Sequence, residues 1–205
     1  NRNYQIQFLI KFLNCFPVCQ IYIDDAEADD VIGYLCKYKF KNKNKIIVSS
    51  DHDYYQLIDK DVLIWSPTLK AFVNSDKVIE RYGVHPINFC LAKSIVGDKS
   101  DNIPGVNRAG FKTLVKKYPA LSGEAQCFVQ DIIDQSKAMI NEGKDSKVVN
   151  EIYNSKSLIE RNYKLVLLDM NNLSHYQIEK ISQKLENFCF TWKNMDAYKL
   201  LQRRH

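Results

Sequence analysis

The sequence has no run of about 18 apolar residues, so it gives no sign of a transmembrane helix. It has no Cys-x-x-Cys pair. The six cysteines (Cys15, Cys19, Cys36, Cys90, Cys127 and Cys189) are scattered, and no histidine stands by them at zinc-ligand spacing. Most lie among apolar neighbours, which reads as buried free thiols in a reducing compartment. The opening, "NRNYQIQFLIKFLNCF", has no Met, no small-residue cleavage site and no long apolar centre, so it does not read as a signal peptide. A cytoplasmic, non-secreted setting is expected, or a nucleoid or organellar one if a transit segment precedes the chain. Repeats, low-complexity tracts and long linkers are missing too. What is present suits a globular protein: 205 residues, 45% of them hydrophobic, enough for one good-sized core. The net charge of +5 allows an anionic partner such as nucleic acid without requiring one.

Periodicity divides the chain in two. Residues 3–15 have helical spacing through Ile6, Leu9, Ile10 and Leu13. "CQIYI" (19–23) reads as a strand, 27–39 as a helix, and "KIIVSS" (45–50) as a buried parallel strand apolar on both faces. "YYQLI" (54–58) reads as a short helix and "VLIWS" (62–66) as a strand. "AFVN" (71–74) pairs back across a turn at 67–70. After Pro86 the pattern is almost wholly helical, over 86–96, 107–118, 125–141, 147–160 and 174–187. One apolar run, "KLVLLDM" (164–170), interrupts it. The expected fold is α/β, with a mainly parallel central sheet flanked by helices and a helical second half. The expected division is an α/β core over 1–96, and 97–205 as the helical part of the same compact unit.

Acid is concentrated in three places. "DDAEADD" follows the expected strand ending at Ile23, "SSDHDYYQL" follows the one ending at Val48, and "GDKSD" follows the apolar helix 86–96. Ligands of open α/β sheets bind beyond the carboxyl ends of strands. Glu27 and Asp30 are three apart at a helix start, with Asp29 beside them. Asp51 and Asp53 are two apart, and point the same way if the extended backbone continues. Asp98 and Asp101 are three apart in a turn. Gathering such carboxylates without counter-ions is costly, because like charges raise one another's pKa. Divalent cations relieve that cost, and an all-oxygen ligand set selects Mg²⁺ or Mn²⁺ over Zn²⁺. Taken singly, "EADD" is also an ordinary helix-dipole complement, "DHD" a cap and "GDKSDN" a loop. The metal reading rests on all three occurring together.

A second signal follows at once in "NIPGVNRAGFKTLVKKY" (102–118). Gly105 and Gly110 flank a short turn, and a helix carrying Lys112, Lys116 and Lys117 comes next. Glycines let backbone N–H groups approach a phosphate, and a helix start favours anions. Alone, the same stretch also reads as a packing corner with a solvated lysine face.

Together, "EADDVIGYL" (27–35), "VSSDHDYYQLI" (48–58) and "GDKSDNIPGVNRAGFKTL" (97–114) resemble the 5′ nuclease family in order and separation. That family includes flap endonucleases, the 5′ nuclease domain of bacterial DNA polymerase I, and phage 5′→3′ exonucleases, some named RNase H. "LIWSP" (63–67) followed by "FV" is most similar to the phage branch, and the resemblance covers about residues 1–170. It implies metal ligands at Glu27, Asp29, Asp30, Asp51, Asp53, Asp98 and Asp101, with Asp51, Asp53 and Asp101 central to catalysis. It implies two Mg²⁺ ions (or Mn²⁺), which activate a water and stabilise the leaving oxygen of a phosphodiester. It also implies a helix–three-turn–helix with K⁺, gripping duplex DNA through Gly105, Val106, Arg108, Gly110, Lys112, Thr113, Lys116 and Lys117. Branched, flap or 5′-ended DNA is the expected substrate, with RNA–DNA hybrids open. The family's first strand, its Asp and its helical arch have no counterpart in this sequence, whose residues 1–16 are similar to the helix after the arch. A fragment, or one half of a split enzyme with a partner polypeptide, is therefore expected. A branched-DNA-binding chain that does not cut alone stays open, as does a replication-protein partner. An Asp-x-Asp phosphatase with Asp51 as nucleophile is the third reading. The usual Gly-x-Gly of the turn is Arg108-Ala109-Gly110 here.

Overall fold

A computed structural model describes residues 2–144 and 146–189, together with Asp196 and Lys199. The chain divides into two compact units, one from Asn1–Val31 with Asn171–His205, the other Ile32–Met170. The boundary falls inside a helix.

The first unit begins with α1 (Arg2–Leu13). Its apolar residues Ile6, Leu9 and Ile10 are exposed, while Phe8, Phe12 and Phe16 form a ladder of ring contacts. "CQIYI" is not a strand: residues 18–23 are irregular, Tyr22 is exposed, and only Ile23 is buried. A strand needs a neighbour to take its N–H and C=O groups, and a short apolar run does not supply one. The first acidic cluster therefore does not follow a sheet strand. It opens α2 (Ala28–Tyr34), which continues as a π-helical turn over Leu35–Lys39. Beyond Met170 the chain forms α9 (His175–Glu186), capped by Ser174 and Gln177 in a reciprocal pair. Gln177 also donates to the carbonyls of Asp24 and Asp25, tying the chain just ahead of α2 to the start of α9.

The second unit holds the sheet. β1 (Lys45–Val48) runs parallel to β2 (Val62–Ser66), which pairs antiparallel with β3 (Ala71–Val73), in the order β1-β2-β3. Alternation decides which face is covered. Val62, Ile64, Val73 and Ile47 turn inward to Tyr54, Tyr55, Leu57 and Phe89. Ile46 and Val48 are 59% and 67% exposed, so the strand expected to be apolar on both faces buries one. The expected helix at 54–58 is a 3₁₀ turn over His52–Leu57.

Helices fill the rest. α3 (Ser75–Tyr82), not anticipated from periodicity, is capped by Asn74 and ends at Gly83 in the left-handed region. α4 (Phe89–Val96) is buried along nearly its whole length, and α5 (Phe111–Lys117), α6 (Val129–Asn141), α7 (Lys147–Asn154) and α8 (Lys156–Val166) gather round it. The helix expected over 147–160 breaks at Ser155, and α8 runs on into the apolar run read as an interruption. Leu91, Ile95, Leu114, Tyr118, Leu121, Ile152 and Ile159 make up the centre of this layer. Among the described residues, no helix is long and apolar enough to cross a membrane.

Two glycines join α4 to the loop beyond it. Gly97 has φ +81°, and a Cβ there would collide with the backbone nitrogen of Gly105. A Cβ on Gly105 would collide with the carbonyl of Val96. Gly105→Ala is expected to destabilise the fold by about 3 kcal/mol, an overpacking cost with backbone as the obstacle. Urea denaturation checks this; an unchanged midpoint would contradict the close approach.

Candidate metal centre

The seven acidic residues singled out in the sequence fall into two groups, one in each unit. In the first unit, Glu27 stands just before α2 while Asp29 and Asp30 lie in its first turn. Each offers a carboxylate oxygen within 4.8 Å of the others. The i, i+3 spacing of a helix start brings Glu27 and Asp30 together as the sequence suggests. Asp30 accepts a hydrogen bond from Asn172 Nδ2 at 2.7 Å, and its own N–H donates to Asp29 Oδ1.

In the second unit the extended backbone stops at Asp51, so the aspartates beyond β1 do not alternate as strand residues. Asp51 caps the 3₁₀ turn, its Oδ1 accepting from the Asp53 N–H at 2.9 Å. His52, between them, stacks its ring on Tyr55 at 5.0 Å, with Nδ1 3.4 Å from the Tyr82 hydroxyl. Burial, then the Arg81 guanidinium, lowers its imidazole below the ordinary value.

Asp53 meets a partner that sequence reasoning missed. Lys93, in the apolar helix α4, is buried, and its ammonium donates to Asp53. It lies 2.7 Å from Asp98 and 3.8 Å from Asp101. A lysine is almost never buried unless paired, so one inside "FCLAKSIV" was the available signal. Asp98 also accepts from the Ser100 N–H and hydroxyl. The loop closes through two backbone bonds, Asp98 N–H to Ile103 O at 2.9 Å and Ile103 N–H to Asp98 O at 2.7 Å. Burial opposes ionisation of Asp98. The hydrogen bonds from Lys93 and Ser100 outweigh it and hold the carboxyl well below the usual carboxylate range.

This donor set fits a divalent cation. One ammonium against Asp53, Asp98 and Asp101 leaves the group anionic, and its free ligand atoms are hard oxygens.

The loop after Ile103 leads to the expected anion-binding residues. Val106 is buried in the helical core and its N–H donates to Ile95 O, so its side chain and N–H are used by the fold. Arg108 is exposed at φ +65°. Gly110 precedes α5 with open space around it. Lys112, Thr113 and Lys116 are exposed, Gly105 and Lys117 half-buried. Among the described residues, no carboxylate pairs with Arg108, Lys112 or Lys116.

A small sheet walled by helices thus carries carboxylates just beyond the ends of β1 and α4. Residues 3–83 match the family model described as 5′-3′ exonuclease, N-terminal resolvase-like domain. A 5′-3′ exonuclease of Buchnera aphidicola subsp. Baizongia pistaciae is 30% identical over 96% of this chain and 66% of its own length. The corresponding protein of Buchnera aphidicola subsp. Schizaphis graminum is 39% identical over 56% of this chain. The chain covers 41% of that relative's length. Among solved structures, a divalent-metal (zinc) complex of T5 5′-exonuclease aligns with TM-score 0.60 and 25% identity. That alignment covers 89% of this chain and 61% of the T5 chain. The chain belongs to the 5′ nuclease family.

Lys93→Met tests the electrostatics. Because the folded pKa of Asp98 is depressed, its contribution to stability is present above the unfolded value of about 3.9 and lost as pH falls through the folded one. Without the ammonium, the Asp98 titration followed by NMR should rise toward the ordinary range. Added Mg²⁺ should then raise the melting temperature more than it does for the parent. A carboxyl that titrates as before would show that Lys93 does not set it.

Proposed function

We propose that this chain is a divalent-metal-dependent, structure-selective 5′ nuclease acting on branched or 5′-ended DNA in replication or repair. RNA–DNA hybrids fall in the same substrate class. The observation that carries the reading is the convergence of Asp53, Asp98 and Asp101 on Lys93, one short loop ahead of the unpaired cations Arg108, Lys112 and Lys116. Relatives named 5′-3′ exonuclease and the zinc-bound T5 enzyme support it.

Asp51, Asp53, Asp98 and Asp101 are the ligands assigned to the second unit, and Glu27, Asp29 and Asp30 those of the first. Mg²⁺ or Mn²⁺ suits both sets. Bound there, such ions neutralise phosphate charge and lower the pKa of water. The protein's part is to hold its oxygens ready. Asp51 fixes the turn that aims Asp53, Ser100 fixes Asp98, and Lys93 neutralises part of the charge beneath them. Asp51, Asp53 and Asp101 make up the catalytic group.

Residues 105–117 form the DNA-holding element in this reading, a helix–three-turn–helix with K⁺ at its turn. Gly105 and Gly110 give the backbone close approach, and Arg108, Lys112, Thr113, Lys116 and Lys117 supply donors to phosphates. Such contacts position a duplex without reading its bases, which suits selection by structure.

Asp101→Ala should lower turnover on a 5′-flap substrate by about 100-fold, with DNA affinity kept within about three-fold. Lys112→Ala and Lys116→Ala should each weaken binding and flatten its salt dependence by about one unit per lost phosphate contact. Gel-based cleavage with Mg²⁺ and fluorescence anisotropy across a salt series check these. Retained binding with no cleavage by the parent chain would leave a DNA-binding module and overturn the enzymatic reading.

A further inference from the structure

α8 carries a side chain that neither the carboxylate cluster nor the basic segment includes. Asn162 has no exposed surface. Its side-chain nitrogen donates to Ser94 O at 3.0 Å and to Pro104 O at 2.8 Å. An amide nitrogen has two hydrogens, so both are used. Ser94 lies in the last turn of α4, before Gly97, and Pro104 lies directly before Gly105. The two carbonyls therefore flank the neck at which the loop carrying Asp98 and Asp101 begins and ends. The Asn162 carbonyl oxygen accepts from Arg161 Nη2 at 3.3 Å. Among the described residues, no hydrogen bond joins Asn162 to a carboxylate.

We propose that Asn162 is a positioning residue for the metal ligands of the acidic loop. By joining Ser94 to Pro104 it fixes the neck, and with it the placement of Asp98 and Asp101 opposite Asp53. The neck has a second fastening in the Val106 N–H to Ile95 O bond at 2.8 Å. Losing the Asn162 bridge therefore loosens the loop without opening it. Asn162 then acts on how tightly the loop takes a divalent cation, while the Val106 N–H to Ile95 O bond keeps the start of the DNA-holding segment in place. This rests on the metal-ligand reading of Asp98 and Asp101.

The test uses the full chain and Mn²⁺ alone. Calorimetric titration without DNA gives the Mn²⁺ affinity of the parent, of Asn162→Ser and Asn162→Gln, and of Asp101→Ala. Asn162→Ser, which keeps one donor on a shorter arm, should bind Mn²⁺ about ten-fold more weakly, a loss of about 1.4 kcal/mol. Asn162→Gln, which keeps the amide, should lie between it and the parent. In cleavage assays the half-saturating Mn²⁺ concentration should rise by the same factor, with turnover recovering at saturation. Binding of 5′-flap DNA in EDTA should stay within two-fold. A purely structural role would lower the melting temperature and leave the Mn²⁺ affinity of the folded protein as it was, and that result overturns the proposal. So does failure of both variants to fold, which would make Asn162 a folding residue. If Asp101→Ala also leaves Mn²⁺ binding intact, the ligand reading falls with the inference. If Asp101→Ala removes Mn²⁺ binding at the acidic loop, leaving that of Glu27, Asp29 and Asp30, while the Asn162 variants match the parent, only the inference falls.

Discussion

Carboxylates drawn together out of water need a cation among them, and in the larger unit the Lys93 ammonium fills that role. Two carboxylates about 4 Å apart repel by about 4 kcal/mol at an effective dielectric constant of about 20. Asp53 and Asp98 share the Lys93 ammonium, with Asp101 3.8 Å away. α4 exists to bring that charge in: seven of its eight residues are buried, and the lysine is the one cation among them. The helical layer holds α4, α4 holds Lys93, and Lys93 makes the convergence of three acidic residues tolerable. The group stays net anionic, which leaves it receptive to a harder and more highly charged cation.

The same logic explains why the chain is basic while its motifs are acidic. The acid of the three motifs lies at the turns beyond β1 and α4 and at the start of α2. Lysine and arginine lie on the loop and helix that follow. One stretch, residues 97–117, passes from Asp98 and Asp101 before Gly105 to Arg108, Lys112, Lys116 and Lys117 after it. The fold spends its backbone freedom there because the chain segments at Gly97 and Gly105 approach too closely for a Cβ on either.

The acidic motifs and their order were legible in the sequence because each is local: a cap, a helix start, a closed loop. Their spacing carries the geometry directly, as Glu27 and Asp30 show. What was illegible is non-local. Nothing near Lys93 announces Asp53, and the apolar run at 19–23 looks like a strand until one asks what it pairs with. The open face of β1 was missed because a run of Lys-Ile-Ile-Val has the same pattern whether one side is covered or both. α3 is short and amphipathic enough to escape a reading by periodicity, and its Asn74 cap and Gly83 stop were the better signals. The break at Ser155 has no proline or glycine to mark it. Asn162 was invisible because its partners are backbone carbonyls, and a sequence does not show where carbonyls point.

Closing the neck between Gly97 and Gly105 joins points a few residues apart, and loop-closure entropy grows only with the logarithm of length. The acidic ring is therefore cheap to form as soon as α4 exists. Asp53 lies 40 residues before Lys93, and Asn162 lies 68 after Ser94. Those contacts carry the entropy of closing longer loops. The site thus joins a part held by contacts close in sequence to a part held by contacts that span much of the chain.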